Sequence, residues 1–209
     1  MKIGVIGANG KSGSLIVKEA LAKGIDVTAI VRDANKVSGL PVIEKDIMSL
    51  TYEDLKEFDA VIDAFAAWMP ETLVLHQTTL KHLCDILAGS NTRLLVVGGA
   101  GSLYVNQEHT MQVKDTEGFP EAFKLLANNM SLALENLRER DDVRWTYLSP
   151  ATDFVVDGER TGKYILGGEE LIVNSNGVSQ ISYSDYAIAM VDEIINSNYI
   201  NERFTVAAK

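Results

Sequence analysis

The chain has 209 residues, 46% of them hydrophobic and 23% charged, the makeup of one globular domain with a sizeable core. A net charge of −10 excludes a general nucleic-acid binder, which needs a basic face to neutralise phosphates, but leaves room for a small anion at a local positive site. Membrane span, secretion signal and disulfide are excluded as well: no apolar run approaches the ~18 residues of a span, the opening run ends at Gly7, and Cys84 is the one cysteine, so a cytoplasmic protein is expected.

In chain order, Lys2–Ile6 is a short apolar run ending in glycines. Ser12–Lys23 carries Leu15, Ile16, Ala20 and Leu21 at helical spacing, with Gly24 as its stop. Asp26–Val31 is a second apolar run and Pro41–Lys45 a weaker third; Ser49–Phe58 reads as a short helix capped by Ser49 or Thr51. Ala60–Phe65 is the fourth run, Glu71–Ala88 a long amphipathic helix, and Arg93–Val97 the fifth run, closed by Gly98-Gly99-Ala100-Gly101. A polar stretch to Phe119 is too long for an ordinary connection and has the length of a functional loop. A helix from Pro120 to Arg140, a sixth strand at Val143–Leu148, and short strands and turns over 151–180 follow. In that last segment Gly167-Gly168 and Asn176-Gly177 are hairpin signals. Ser182-Tyr183-Ser184-Asp185 opens the last long helix as a capping box with Asp in place of Glu, and Phe204–Ala207 is a closing strand.

The runs are apolar throughout rather than alternating, as strands covered on both faces must be. Strand–helix alternation of this kind predicts an α/β fold with a parallel sheet and right-handed crossovers. No linker divides the chain, so residues 1–209 are expected to be one domain, with 151–180 and the closing strand adding a small substrate-side lobe.

Between the first strand and helix stands Gly7-Ala8-Asn9-Gly10-Lys11-Ser12-Gly13. In that context Gly7 turns the chain sharply out of the strand, Gly10 lets backbone approach a pyrophosphate, and Gly13 lets the helix pack closely. The helix N-terminus then aims free N–H groups, with Asn9, Lys11 and Ser12 around them, at the phosphates. Gly10-Lys11-Ser12 also spells the end of a P-loop, but that motif needs a glycine where Val5 stands. The expected ligand is therefore a nicotinamide dinucleotide. An acid at the second strand's tip binds the ribose 2′-hydroxyl and an arginine a 2′-phosphate. Here Arg32 precedes Asp33, with Lys11 and Lys36 as further charge, so NADP(H) is preferred and NAD(H) stays open. Asp46 is the candidate for the adenine edge and Ile47 for its face. His76, His82 and His109 have no metal-ligand spacing, and no metal is expected.

The glycine loop and Val31-Arg32-Asp33 resemble the atypical short-chain dehydrogenase/reductases. So do Trp145-Thr-Tyr-Leu-Ser-Pro150, Thr161-Gly-Lys-Tyr-Ile-Leu-Gly167 and Ile181-Ser-Tyr-Ser-Asp-Tyr-Ala187. Within that group the chain is similar over its whole length to small bacterial NAD(P)H-binding proteins described as NADH-flavin reductases, in the neighbourhood of the NmrA-like proteins. The resemblance implies a Rossmann-type doubly wound sheet of order 3-2-1-4-5-6. It also implies cofactor contacts from Ala64, Phe65 and Ala66 and from Gly98, Gly99 and Ala100, and a substrate pocket built by the 101–119 loop and the segment after Pro150.

The larger family reduces carbonyls with Tyr-xxx-Lys on the helix after the fifth strand and a serine on the loop before it. Tyr52-xxx-Lys56 has the spacing but precedes the fourth strand, on the adenine side. On the correct helix, with Glu135 as the acid after the motif, the two positions fall at Ala127 and Ser131, neither of which does proton work. Ser102 is then the one candidate catalytic hydroxyl, Lys124 a candidate for the ribose, and Trp68, Tyr104 and Phe154 the candidate walls for a flat ring. The first reading is an NAD(P)H-dependent reductase of a small flavin or quinone-like acceptor, in which the cofactor carries the chemistry. The second is a non-catalytic NADP(H)-binding redox sensor. The third is a sugar-nucleotide epimerase-like enzyme, which needs the missing tyrosine and a larger C-terminal lobe. Monomer and homodimer remain open.

Overall fold

The computed structural model describes residues 1–209. The chain runs β1 (Lys2–Ile6), α1 (Lys11–Ala22), β2 (Asp26–Val31), β3 (Val42–Glu44), α2 (Tyr52–Leu55), β4 (Ala60–Asp63), α3 (Leu75–Leu87), β5 (Arg93–Val97), α4 (Glu121–Arg138), β6 (Trp145–Ser149), β7 (Asp153–Val155), β8 (Tyr164–Gly167), β9 (Gln180–Ser182), α5 (Tyr183–Asn196) and β10 (Glu202–Ala208). Eight strands form one sheet in the order β3-β2-β1-β4-β5-β6-β10-β8, parallel except for β8, which runs antiparallel to β10. This is the Rossmann order 3-2-1-4-5-6, extended by two strands. No helix is long and apolar enough to cross a membrane.

Alternate residues of each strand feed two cores. Ile3, Val5, Val27, Ala29, Ile62, Leu95 and Leu148 join α1 and α5 on one face. Ile6, Ile30, Val61, Leu94, Val96 and Tyr147 join α3 and α4 on the other. Burying each large aliphatic side chain contributes about 1.5–3 kcal/mol, which is why a continuous apolar strand is stable here and nowhere at a surface. The chain order turns back at β1, so β2 and β4 leave its two sides, and their loops part at the carboxyl ends of β1 and β4. That crevice is where open α/β sheets bind ligands.

Several sequence expectations need correction. The helix expected at 49–58 is a 3-10 turn, Ile47–Ser49, followed by α2; Thr51 is its cap, both its N–H and its hydroxyl reaching the Asp54 carboxylate at 2.8 Å. The helix expected from Glu71 begins as a 3-10 turn at Pro70–Thr72 and becomes α-helical at Leu75. Asn176-Gly177 makes a turn and Gly167 ends β8 at a bend, but neither closes a hairpin, because β7 pairs in parallel with β9 while β8 crosses to β10. The capping box at Ser182 is half formed. Ser182 Oγ accepts from the Asp185 N–H at 3.0 Å, but the Asp185 carboxylate instead accepts from the hydroxyl of Thr161 (2.6 Å) and the N–H of Gly162 (2.9 Å), holding that turn against α5.

At the amino-terminal end of β5, Arg93 and Glu193 of α5 form an ion pair with only 4% and 3% exposure. Arg93 also donates to Thr146 Oγ1, the Glu193 carbonyl and Ser197 Oγ, and the Glu193 carboxylate accepts from the N–H groups of Asn198 and Tyr199. Removing one partner strands a buried charge, at a cost of about 3–5 kcal/mol. Glu193→Ala is therefore expected to lower the thermal midpoint by roughly 6–20 °C in a domain of this size. A shift under about 2 °C in a calorimetric scan would show that the pair contributes little.

Candidate cofactor site

The glycine loop turns at Gly7, whose φ of +70° favours glycine and whose N–H donates to the Ile30 carbonyl at 3.0 Å. A Cβ on Gly7 would stand 2.8 Å from the Ala64 carbonyl oxygen, so the loop lies directly against the turn after β4. A Cβ on Gly13 would stand 2.2 Å from the Gly7 carbonyl oxygen; its closeness serves the turn itself as well as helix packing. Gly10 is exposed and is the N-cap of α1, but no side chain caps that terminus and its first turn carries no acid. The N–H groups of Lys11, Ser12 and Gly13 have no protein acceptor. Asn9 and Lys11 are exposed beside them and Ser12 is half-buried. An uncapped helix start with a free lysine fits an anionic pyrophosphate.

The structure divides the roles of Arg32 and Asp33. The Asp33 carboxylate accepts from the backbone N–H and side-chain Nδ2 of Asn35, each at 3.1 Å, and pairs with Lys36 at 3.5 Å. These hydrogen bonds hold its carboxyl below the usual carboxylate range and tie it to its own turn. Arg32 is exposed and has no ion-pair or hydrogen-bond partner. At the end of β3, Asp46 is exposed and caps the following turn through the Met48 N–H at 3.0 Å, whereas Ile47 turns into the core on the α3–α4 face. Ile47 is expected against the adenine face, and the residue is 7% exposed.

At the carboxyl ends of β4 and β5 the two expected turns lie side by side, since those strands pair in register. Ala64 and Phe65 are half-buried and Ala66 exposed. Gly98 has no space for a side chain, because a Cβ would stand 2.2 Å from the Tyr147 ring. Gly99 donates its N–H to the Tyr147 hydroxyl at 3.2 Å.

The catalytic candidates fare differently. Ser102 is 5% exposed and its hydroxyl accepts from the buried guanidinium of Arg203 at 3.4 Å; Arg203 also reaches the Ser102 carbonyl and pairs with Glu169. Ser102 is thus a buried anchor of its loop rather than an open proton donor, which corrects the sequence expectation. Ala127 and Ser131 are buried: Ser131 Oγ donates to the Ala127 carbonyl at 2.7 Å, and a Cβ on Gly101 would stand 2.7 Å from the Ala127 Cβ. Lys124 is exposed and pairs with Glu121 at 2.7 Å. Tyr52 and Lys56 line a cleft of about 540 Å³ with Asp59, Arg93 and Arg144. That cleft is at the amino-terminal edge of the sheet, away from the glycine loop, so the cleft's size does not mark the cofactor site and the Tyr-xxx-Lys spacing is a coincidence.

Of the three aromatic candidates, Trp68 is 65% exposed after β4. Tyr104 stacks on His109 with centroids 4.4 Å apart, and Phe154 stacks on Tyr183 at 3.8 Å. All three follow the carboxyl ends of their strands, but only Trp68 leaves its ring largely open. Sequence reasoning gave no role at this edge to three polar side chains beneath it: Asp63, His76 and Tyr147. The available signal was Asp63, a lone carboxylate at the end of an otherwise apolar run.

A profile of the NAD(P)H-binding family matches residues 7–194, from the first glycine of the loop into α5. The chain belongs to that family. The family places a nicotinamide dinucleotide with this fold, and among dehydrogenase/reductases the protein is of the atypical short-chain kind. This NAD(P)H-binding protein is 48% identical to the uncharacterized Bacillus subtilis protein YwnB over 212 residues, covering 100% of the chain and 99% of YwnB. It is 50% identical to a Streptococcus pneumoniae structure called "a putative NADH-flavin reductase", at a TM-score of 0.97 with both chains covered in full. A Bacteroides thetaiotaomicron structure called a "putative epimerase" is 37% identical at a TM-score of 0.87, with 99% and 96% of the two chains covered.

Proposed function

We propose that this NAD(P)H-binding protein is an oxidoreductase that uses NADPH in preference to NADH and reduces a flavin or quinone-like ring. In this reading the N–H groups of Lys11–Gly13 hold the pyrophosphate, Arg32 meets the 2′-phosphate, and Asp46 lies by the adenine. The turns Ala64–Ala66 and Gly98–Gly99 then face the nicotinamide. When bound, the reduced nicotinamide supplies a hydride to the acceptor ring, and water supplies the accompanying proton. Trp68 offers the acceptor an open aromatic face.

The observation that carries the reading is the pair Ala127 and Ser131, buried on α4 where a carbonyl reductase needs an acid and a base. Delocalised acceptors do without that acid; carbonyls and sugar-nucleotide epimerisation do not. The name of the Streptococcus relative agrees, and that of the Bacteroides relative asks for chemistry this helix does not equip. The missing acid also suits a non-catalytic redox sensor, with exposed Trp68 and Met69 beside the edge as a partner surface. Steady-state NADPH oxidation with riboflavin, FMN and a simple quinone separates the two. The reductase reading requires a rate that rises with acceptor concentration, and the sensor reading requires none.

Cofactor preference has its own test. A charge-assisted contact to a phosphate contributes on the order of 1.5–3 kcal/mol, or about 10- to 150-fold in affinity. Arg32→Ala is expected to weaken NADPH by that factor and leave NADH nearly unchanged, measured by titration calorimetry. Equal affinities for NADPH and NADH in the unmodified protein would remove Arg32 from the site.

A further inference from the structure

Beneath the turns after β4 and β5 is a void of about 10 Å³, the size of one water molecule, lined by Asp63, Phe65, His76, Val96, Met130 and Tyr147. Its three polar side chains each hold a strip of backbone on the cofactor edge. The Asp63 carboxylate, 5% exposed, accepts from the Phe65 N–H at 3.0 Å. His76 Nε2 lies 3.1 Å from the Ala67 carbonyl and 3.3 Å from the Ala67 N–H, with the Phe65 ring edge-on to it at 5.5 Å. The Tyr147 hydroxyl accepts from the Gly99 N–H, and no protein acceptor takes its own proton. The cluster thus joins Ala64–Ala67 to Gly98–Gly99 from below.

We propose that Asp63, His76 and Tyr147 form a buried polar bracket under the nicotinamide, in which Asp63 carries a proton-dependent charge that selects the oxidised ring over the reduced one. The bracket rests on the cofactor placement proposed above and is independent of the acceptor. Groups facing Asp63 come from every neighbouring element: Ile6 on β1, Val96 on β5, Tyr147 on β6, His76 and Cys84 on α3, and Met130 and Ala133 on α4. Burial pushes both the Cys84 thiol and the Tyr147 hydroxyl up to about 12 and pulls His76 below its ordinary value, so all three are neutral near pH 7. Burial raises the Asp63 carboxyl to about 6, against one opposing hydrogen bond from Phe65. Asp63 is therefore the member of the cluster whose charge changes close to neutrality, and no cation pairs with it.

The sign follows directly. Above its pKa Asp63 is an unpaired anion beneath the ring position, where the nicotinamide of NADP⁺ is cationic and that of NADPH neutral. NADP⁺ gains from the charge and NADPH does not. Two unit charges about 10 Å apart at an effective dielectric of about 20 correspond to roughly tenfold in affinity. Linkage requires the converse, that NADP⁺ binding near pH 6 expels a fraction of a proton from Asp63. Asp63 is a positioning and charge-setting residue here; it does not touch the reacting atoms.

The experiment measures Kd for NADP⁺ and for NADPH on the full chain from about pH 5 to about pH 7.5, with Asp63→Asn alongside. The 2′-phosphate titrates near pH ~6 in both forms and cancels in their ratio. The affinity ratio of NADP⁺ to NADPH should rise on the order of tenfold with pH in the unmodified protein and stay flat in Asp63→Asn, which keeps the acceptor for Phe65. Calorimetry of the unmodified protein in two buffers of different protonation enthalpy is the second readout and needs no variant. At pH 6 NADP⁺ should release more proton than NADPH. A pH-independent ratio with equal proton release, or a slope that persists in Asp63→Asn, overturns the bracket alone. Failure of both dinucleotides to bind overturns the cofactor placement with it.

Discussion

Gly10→Val is expected to abolish binding of both dinucleotides while leaving the fold intact. Gly10 sits at φ −78°, which any residue adopts, and its Cβ would meet only the Gly7 carbonyl oxygen, at 3.1 Å. The added side chain at an exposed N-cap costs about 1 kcal/mol in helix stability, a few degrees in the thermal midpoint. Its branches would occupy the space in front of the Lys11–Gly13 amides, where the pyrophosphate must approach, and a loss of at least about 100-fold in affinity is expected. Gly13→Ala should act on both. Its Cβ would stand 2.2 Å from the Gly7 carbonyl, so the turn has to move and stability falls together with binding. Titration calorimetry with circular dichroism distinguishes the two. NADPH binding undiminished in a folded Gly10→Val protein would place the ligand elsewhere.

The second large effect is selectivity among acceptors. General acid catalysis typically contributes ~10²–10⁴-fold, and the helix that should supply it presents Ala127 and Ser131, both buried. Ser102, the hydroxyl on the loop after β5, is held by Arg203, and the Tyr147 hydroxyl is buried beneath the Gly98–Gly99 backbone with a proton affinity raised by burial. Aldehydes and ketones should therefore react at least about 100-fold more slowly with NADPH than FMN or a small quinone does, because an alkoxide forms with nothing placed to protonate it. Reduced flavins and hydroquinones hold the added electrons by delocalisation and do not share that dependence. Efficient turnover of a plain ketone that survives Ser102→Ala would mean that a proton donor has been overlooked.

The parts of this protein legible in its sequence are those where one residue type answers one local demand. Gly7 and Gly13 are required by contacts that any Cβ would break, and Ile3–Ile6, Val27–Val31 and Leu94–Val97 are apolar but for Thr28 because two helical layers cover them. The strand order came with the resemblance, not from periodicity. What was hidden depends on partners distant along the chain. Asn176-Gly177 does make a tight turn, but the choice of β9 to pair with β7 in parallel is settled by tertiary packing. Ser102 reads as a turn hydroxyl until Arg203, 101 positions away, is folded onto it. Ile47 reads as a contact for the adenine face, and only the fold shows that its side chain packs into the core. Asp63, His76 and Tyr147 lie on three separate elements, and nothing in their spacing announces a common void.

Whether NADPH held at the glycine loop is spent on an acceptor decides the central claim. The direct measurement is stopped-flow mixing of the protein–NADPH complex with FMN, following the nicotinamide absorbance over a single turnover. The reductase account predicts loss of that absorbance at a rate that increases with FMN, is lost in Gly10→Val, and exceeds the rate of free NADPH with FMN. Tightly bound NADPH that persists unchanged in FMN, and equally in a simple quinone, would contradict it.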